Sequence, residues 1–351
     1  MQIKHFYKAF LGAILLITIF VIFWEYNWRR QGFTITYNDD KVIWATARKR
    51  IYAPETTVFI GDSRVKFDID LPTWKALTGE NAVQLAMVGT TPRPVLHNLA
   101  NDVHFHGNVI MGAAELAFYS MDSIQREVSA RDGIEYYNKE TPAQSLNASL
   151  DFMLESKLVF LEEGKFGLNS LLNSLPIPNR PGVFIRTLPP RHFSRSDYFR
   201  QSSETDELLK DTSIQHAVIN YWTLNASRLK PKPIGGDTLL AFFKQMKNSM
   251  DKIRARGGKI AMIRPPSSGA VLMRENKLYP KNQYWDRFIQ YTESPGFYYT
   301  DYPELAHMVC PEQSHLTPTD AVIFTRSLIN FLKENGWSFP ASPDSANQLN
   351  R

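Results

Sequence analysis

Cysteine is almost absent from this chain. Of its 351 residues only Cys310 carries a thiol, so no intramolecular disulfide can form and stability has to come from the core. A large excess of charge of one sign is lacking too. The net charge is +5, and the basic residues (Arg48, Lys49 and Arg50; Arg186, Arg191, Arg195 and Arg200; Arg254 and Arg256) are scattered instead of forming a stripe. No nucleic-acid-binding module accompanies them, so nucleic acid is not an expected partner. The surplus reads as solvated surface, with attraction to anionic lipid head groups or an envelope polymer as the lesser reading. Walker and Rossmann glycine fingerprints and internal repeats are missing as well. At 43% hydrophobic and 21% charged residues, the chain is globular and long enough for one large domain or two smaller ones.

Long apolar runs are lacking with one exception. Ala9 to Trp24 contains no charged residue, and at about 1.5 Å per residue it falls a little short of a hydrocarbon core of about 30 Å. Tyr7, Trp24, Tyr26 and Trp28 extend it into the interface, where amphipathic rings prefer to sit. Lys4 and Lys8 before the run nearly balance Arg29 and Arg30 after it. The segment that follows, Glu25 to Arg30, lacks the small-x-small pattern of a cleavage site, so the run is read as an uncleaved anchor. The expected partner of residues 9–24 is therefore a lipid bilayer, with the short N-terminal tail inside and the bulk of the chain outside.

Residues 1–28 form the tip and anchor, and 29–53 read as a polar connector. Short apolar runs then alternate with helical patterns: Thr57 to Ile60, Ala82 to Val88, Asn108 to Met111, Lys259 to Ile263 and Gly296 to Thr300. Each closes on turn residues, as strands of a buried parallel sheet do. Helices are expected over Pro92 to Val103, over Thr238 to Arg256 with Leu239, Leu240, Phe243, Met246, Met250 and Ile253 on one face, and over Thr317 to Glu334. The fold class is thus α/β, a three-layer α/β/α arrangement of about five parallel strands. It is assembled from 54–118 and 238–337. Residues 119–237 are a largely helical insertion, with helices over Ala143 to Leu161 and Leu168 to Leu175 and a Pro- and Arg-rich loop over Pro176 to Arg200. It either caps the strand C-terminal edge or decorates the surface. Residues 338–351, rich in Pro, Ser, Asn and Gln, read as a disordered tail.

Ligands of open parallel sheets bind beyond the carboxyl ends of the strands. Ser63, Gly89, Gly112, Arg264 and Asp301 all fall there. Ser63 follows a strand and opens a helix, where a hydroxyl is exposed and nearby N–H groups can stabilise an oxyanion; the same place suits an N-cap serine. His315, just before the last helix, could serve as its base, with Glu312 three residues earlier as orienter. His104 and His106 alternate as surface residues do, and Cys310 reads as a small buried residue. No metal or cofactor is called for.

Together, Val58-Phe59-Ile60-Gly61-Asp62-Ser63 and Glu312-x-x-His315-Leu316 resemble the first and last blocks of the SGNH (GDSL-like) hydrolase superfamily. The resemblance covers roughly Pro54 to Phe118 and Thr238 to Trp337. It implies a flavodoxin-like sheet, a Ser63-His315-Glu312 triad, and an oxyanion held by the N–H groups of Ser63 and Gly89. The third block departs from the pattern: Gly112-Ala113-Ala114-Glu115 places an alanine where the family has its asparagine donor. Either Arg93 or Arg264 at the same edge replaces that donor or the protein is not a hydrolase. Asp301 is a reserve orienter, and all three are candidate substrate-binding residues. Anchored members of this group imply an esterase or O-acyltransferase of the bacterial inner membrane, single-pass, with its domain in the periplasm or outside. Such an enzyme would act on an acylated envelope glycan or another ester, beside a membrane acyl-transfer protein. The contrasting expectation, supported by Ala114, is a weak or inactive SGNH-like protein that binds a glycan or a membrane partner.

Overall fold

The computed structural model describes residues 2–120, 123–173, 175, 189–228 and 231–340. The predicted loop over 176–188 and the tail over 341–351 lie outside these described residues. The strands, in chain order, are β1 (Thr56–Ile60), β2 (Asn81–Gln84), β3 (Asn108–Gly112), a short antiparallel pair β4 (Ser194–Ser196) and β5 (Ser202–Glu204), then β6 (Ile260–Arg264) and β7 (Gly296–Tyr298). β2-β1-β3-β6-β7 form one sheet in that order, every pairing parallel. β1 and β6 are buried along their whole length, as strands covered on both faces must be. The covering helices pack in two groups. One holds Ser63–Asp68, Leu71–Thr78 and Pro318–Glu334; the other holds Arg93–Asn101, Gly236–Arg254 and Trp285–Thr292 with two further helices, Lys41–Lys49 and Ser123–Lys139.

The last two helices revise the expected connector and insertion. Lys41–Lys49 begins at Asp40, whose carboxylate accepts the N–H groups of Val42 and Ile43 at 2.8 and 3.1 Å. It buries Ile43, Trp44 and Ala47 against Ser123–Lys139 and the sheet core. Residues 29–53 are therefore part of the domain's packing and not a linker. The second strand also stops earlier than predicted. Leu85 and Met87 still donate to the carbonyls of Phe59 and Gly61, but Arg200 from the insertion donates to the carbonyls of Gln84 and Ala86 at 2.7 and 3.0 Å. A buried guanidinium thus covers what would otherwise be an open strand edge. The strand predicted to reach Thr300 ends at Tyr298, and the chain turns through a single 3₁₀ turn over Tyr299–Asp301.

The N-terminal helix runs over Gln2–Arg30, longer at both ends than the apolar run. Its residues 5–30 are long and apolar enough to cross a membrane. In the insertion, the helix predicted to reach Leu161 is Pro142–Glu155, followed by a 3₁₀ turn over Val159–Leu161, and Leu168–Asn173 is the next full helix but one.

At the end of β1 the chain approaches itself closely. A Cβ on Gly61 or Gly112 would lie 2.4 or 2.1 Å from the Val65 side chain, so both turns require glycine to seat the helix that Ser63 opens.

Candidate active site

Asp62 caps this short helix, accepting the Arg64 N–H at 3.1 Å, and leaves Ser63 as its first residue, half-exposed. Ser63 lines two adjoining cavities. One, of about 260 Å³, is shared with His315, Lys66, Phe67, Phe193 and Trp222. The other, of about 630 Å³, is shared with Gly89, Ala114 and Arg126. The serine stands between a chamber that holds the candidate base and one that holds the candidate oxyanion groups.

His315 is fixed on all sides. Its loop is pinned by Cys310 N–H to Ser268 Oγ (2.9 Å), Ser268 N–H to the Gln313 carbonyl (3.0 Å) and Leu316 N–H to Asp68 Oδ1 (2.9 Å). The ring stacks on Phe67 with centroids 4.1 Å apart, while Phe193 and Trp222 approach at 5.8 and 6.0 Å. Its Nδ1 lies 2.8 Å from Glu312 Oε1. Glu312 is fully buried. Burial pushes its carboxyl up, but the nearby His315 ring and hydrogen bonds from His315 and Trp222 win and hold it below the usual range. An ionised carboxylate only accepts hydrogen bonds. In the neutral ring Nδ1 therefore carries the proton, and Nε2 keeps its lone pair. That Nε2 is buried and has no hydrogen-bond partner. An orphaned polar atom of this kind costs about 1–3 kcal/mol.

Trp222, which donates Nε1–H to Glu312 Oε2, comes from helix Thr212–Arg228 of the insertion. The insertion also supplies Phe193 beside His315 and Arg200 beside β2. Arg200 pairs with Asp39 at 2.8 Å, and Asp39 in turn pairs with Lys66. Lys66 is three residues beyond Ser63, fully buried, and lines the same cavity as Ser63 and His315. Burial outweighs Asp39 and lowers its ammonium to about 8. None of these residues carries a sequence signal tying it to Ser63; a lysine one helical turn after the serine was the nearest thing to one.

Glu204 of β5 is the neutral counterpart of Glu312. Both of its carboxylate oxygens are buried without a partner. Burial first, then the charges of Glu312, Asp68 and Asp320, raise its carboxyl from 4.5 to about 9. The folded state therefore holds a proton that the unfolded chain releases near pH 4.5. Its contribution to stability is whole below that pH and is lost as pH rises towards 9. Glu204→Gln is expected to leave Tm unchanged at pH 4.5 and to raise it at pH 8, by about 1–3 kcal/mol of stability. Thermal melts at the two pH values check this; an equal shift at both would assign the effect to packing.

The remaining sequence candidates lie elsewhere. Arg264 is fully buried and committed to Glu115 at 2.8 Å and Glu275 at 2.6 Å, so it is not brought to either cavity. Arg93 stacks on Phe242, with its guanidinium carbon 5.4 Å from the ring centroid, and pairs with Glu127 at 3.6 Å; it lines a separate groove with His97 and Arg131. Asp301 is half-exposed and pairs with Lys281 at 3.3 Å, while the orienting place beside His315 is held by Glu312. Cys310 is buried, and burial, with the charges of Asp68 and Glu312, pushes its thiol well up, away from thiolate chemistry. His104 and His106 are exposed.

Arg126 is the residue that sequence reading missed at the oxyanion side. It sits in the first turn and a half of Ser123–Lys139, and its carbonyl accepts the Thr91 N–H at 3.2 Å, which fixes this turn to the loop carrying Gly89. Its Nε is buried without a hydrogen-bond partner, and the side chain lines the cavity beside Ser63, Gly89 and Ala114. No protein-family model matches the chain, and no curated protein matches it either.

Proposed function

We propose that the chain is a membrane-anchored, outward-facing serine esterase or O-acyltransferase of the SGNH type. Its N-terminal helix would cross the bacterial inner membrane and leave the α/β domain in the periplasm. The observation that carries this reading is the state of His315: Nδ1 held by an ionised Glu312, Nε2 buried, unpaired and lining one cavity with Ser63. A base needs that tautomer and that free lone pair.

In the reaction, Ser63 Oγ adds to an ester carbonyl and its proton passes to His315 Nε2. The oxyanion is held by the N–H groups of Ser63 and Gly89, with the Arg126 guanidinium in place of the family's asparagine. Collapse expels the alcohol, which takes its proton from His315 and leaves acyl-Ser63. Water then completes hydrolysis, or a sugar hydroxyl completes transfer. An acylated envelope glycan suits the outward-facing site, and a membrane acyl-transfer protein suits it as donor.

Ala114 favours a second reading, a weak or inactive SGNH-like protein that binds a glycan or a membrane partner. Fluorophosphonate labelling of the full-length protein decides between them. Labelling that disappears in Ser63→Ala supports the enzyme, and an unlabelled wild type supports the binding protein.

A further inference from the structure

Two helices of the insertion turn apolar stripes outward, with nothing packed on them among the described residues. On Pro142–Glu155, Leu146, Leu150, Met153 and Leu154 share one face, while Ala148 and Glu155 are buried on the other. Phe152, on the buried side, packs against Tyr198 at 5.5 Å. Leu168, Leu172 and Leu175 repeat the pattern on and just after Leu168–Asn173. Exposure across the seven runs from 44% at Leu154 to 72% at Leu168. Large apolar side chains gathered on one exposed helix face in this way mark a partner.

The chain between the stripes is fastened to the exit of the N-terminal helix. Glu25 accepts the Val159 N–H at 2.9 Å, and Arg29 donates to the Lys157 carbonyl at 2.9 Å. Trp28, Phe33, Val159 and Phe166 form one small core, with Trp28 and Phe166 ring centroids 4.8 Å apart. Trp24 to Trp28 spans about 6 Å of helix rise, the level at which aromatic belts meet the head groups. The two stripes therefore flank a clamp set at the height of the interface.

We propose that these stripes lie in the bilayer surface, so that the insertion seats the domain on the same membrane its N-terminal helix enters. Helices with an apolar face and a polar back settle into the boundary between head groups and acyl chains. Lys157 is exposed between the stripes, and Arg30 is exposed at the helix exit, both placed for lipid phosphates. The seat also holds the smaller cavity close to the membrane, because Gly164 and Lys165 of the clamp and Arg191, which stacks on Trp28, line it. The proposal rests on the membrane-anchor reading but not on the enzymatic one.

The test uses the full-length protein with Cys310→Ser and one new cysteine at a time (Phe23→Cys, Leu150→Cys, Leu172→Cys or Val103→Cys), each labelled with an environment-sensitive fluorophore. The proteins are placed in phosphatidylethanolamine–phosphatidylglycerol vesicles with or without bromine-bearing acyl chains. Positions 150 and 172 are expected to be quenched roughly twofold by bromolipid, as for side chains held about 5–10 Å into the boundary. Position 23 should be quenched at least as strongly, and position 103, exposed on the loop that enters the central strand β3, should not respond. Quenching at 23 but not at 150 and 172 would overturn the seat and leave the anchor standing. A blue shift at 150 without quenching would assign the stripes to a second protein copy and overturn it equally. Absence of quenching at all positions would remove both.

Discussion

Ester hydrolysis by Ser63→Ala or His315→Ala is expected to fall by about 10⁶ in kcat, each alone costing nearly as much as both together. On the proposed mechanism the two groups act in one step: without the Nε2 lone pair the serine keeps its proton, and without the hydroxyl the ring has nothing to deprotonate. Glu312→Gln is expected to cost less, about 10⁴. The carboxamide oxygen can still accept from Nδ1 and from the Ser314 and His315 N–H groups, but its NH₂ then faces Trp222 Nε1–H and the charge that would stabilise an imidazolium is gone. Kinetics on a small p-nitrophenyl ester, with Tm measured in parallel, check all three. Ser63→Ala should keep the wild-type Tm, since the hydroxyl is half-exposed and Asp62, not Ser63, caps the helix. Residual turnover in Ser63→Ala within tenfold of wild type would remove Ser63 as nucleophile.

The parts of this site that were legible in the sequence are those whose geometry is set locally. Ser63 follows a strand by three residues, and Glu312 reaches His315 across a single turn, so spacing alone places them. The sheet was legible for the same reason: five short apolar runs closed by turn residues became five parallel strands. What could not be read depends on distant pairing. Trp222 meets Glu312 from 90 residues away, and Arg200 meets Gln84 from 116. Arg264 stands at the end of β6 as expected, but two buried carboxylates, Glu115 and Glu275, claim its guanidinium and decide its role. The helix Lys41–Lys49 did leave a trace, an aspartate cap followed by Ile43, Trp44 and Ala47, which the polar residues around it obscured.

The same distance effect applies beside Ala114, where the sequence lacks the amide and the structure brings Arg126 into the cavity shared with Ser63 and Gly89. Arg126→Met is expected to lower kcat on a neutral ester by about 10²–10³ while KM changes little, the signature of a donor used only when charge develops on the carbonyl oxygen. Arg126→Lys should recover part of that loss, because a point charge remains although the planar fork is gone. A different outcome has a different meaning. If neutral esters are unaffected and only anionic substrates lose affinity, through KM, then Arg126 reads the substrate's charge and the oxyanion rests on the N–H groups of Ser63 and Gly89 alone. Position favours the first outcome. Thr91 holds the Arg126 backbone against the Gly89 loop, Ala114 leaves room where an amide would stand, and the Arg126 Nε is buried with no other partner. Burying an unsatisfied guanidinium nitrogen is costly in the resting protein, and on the proposed mechanism an oxyanion formed in this cavity would recover that cost.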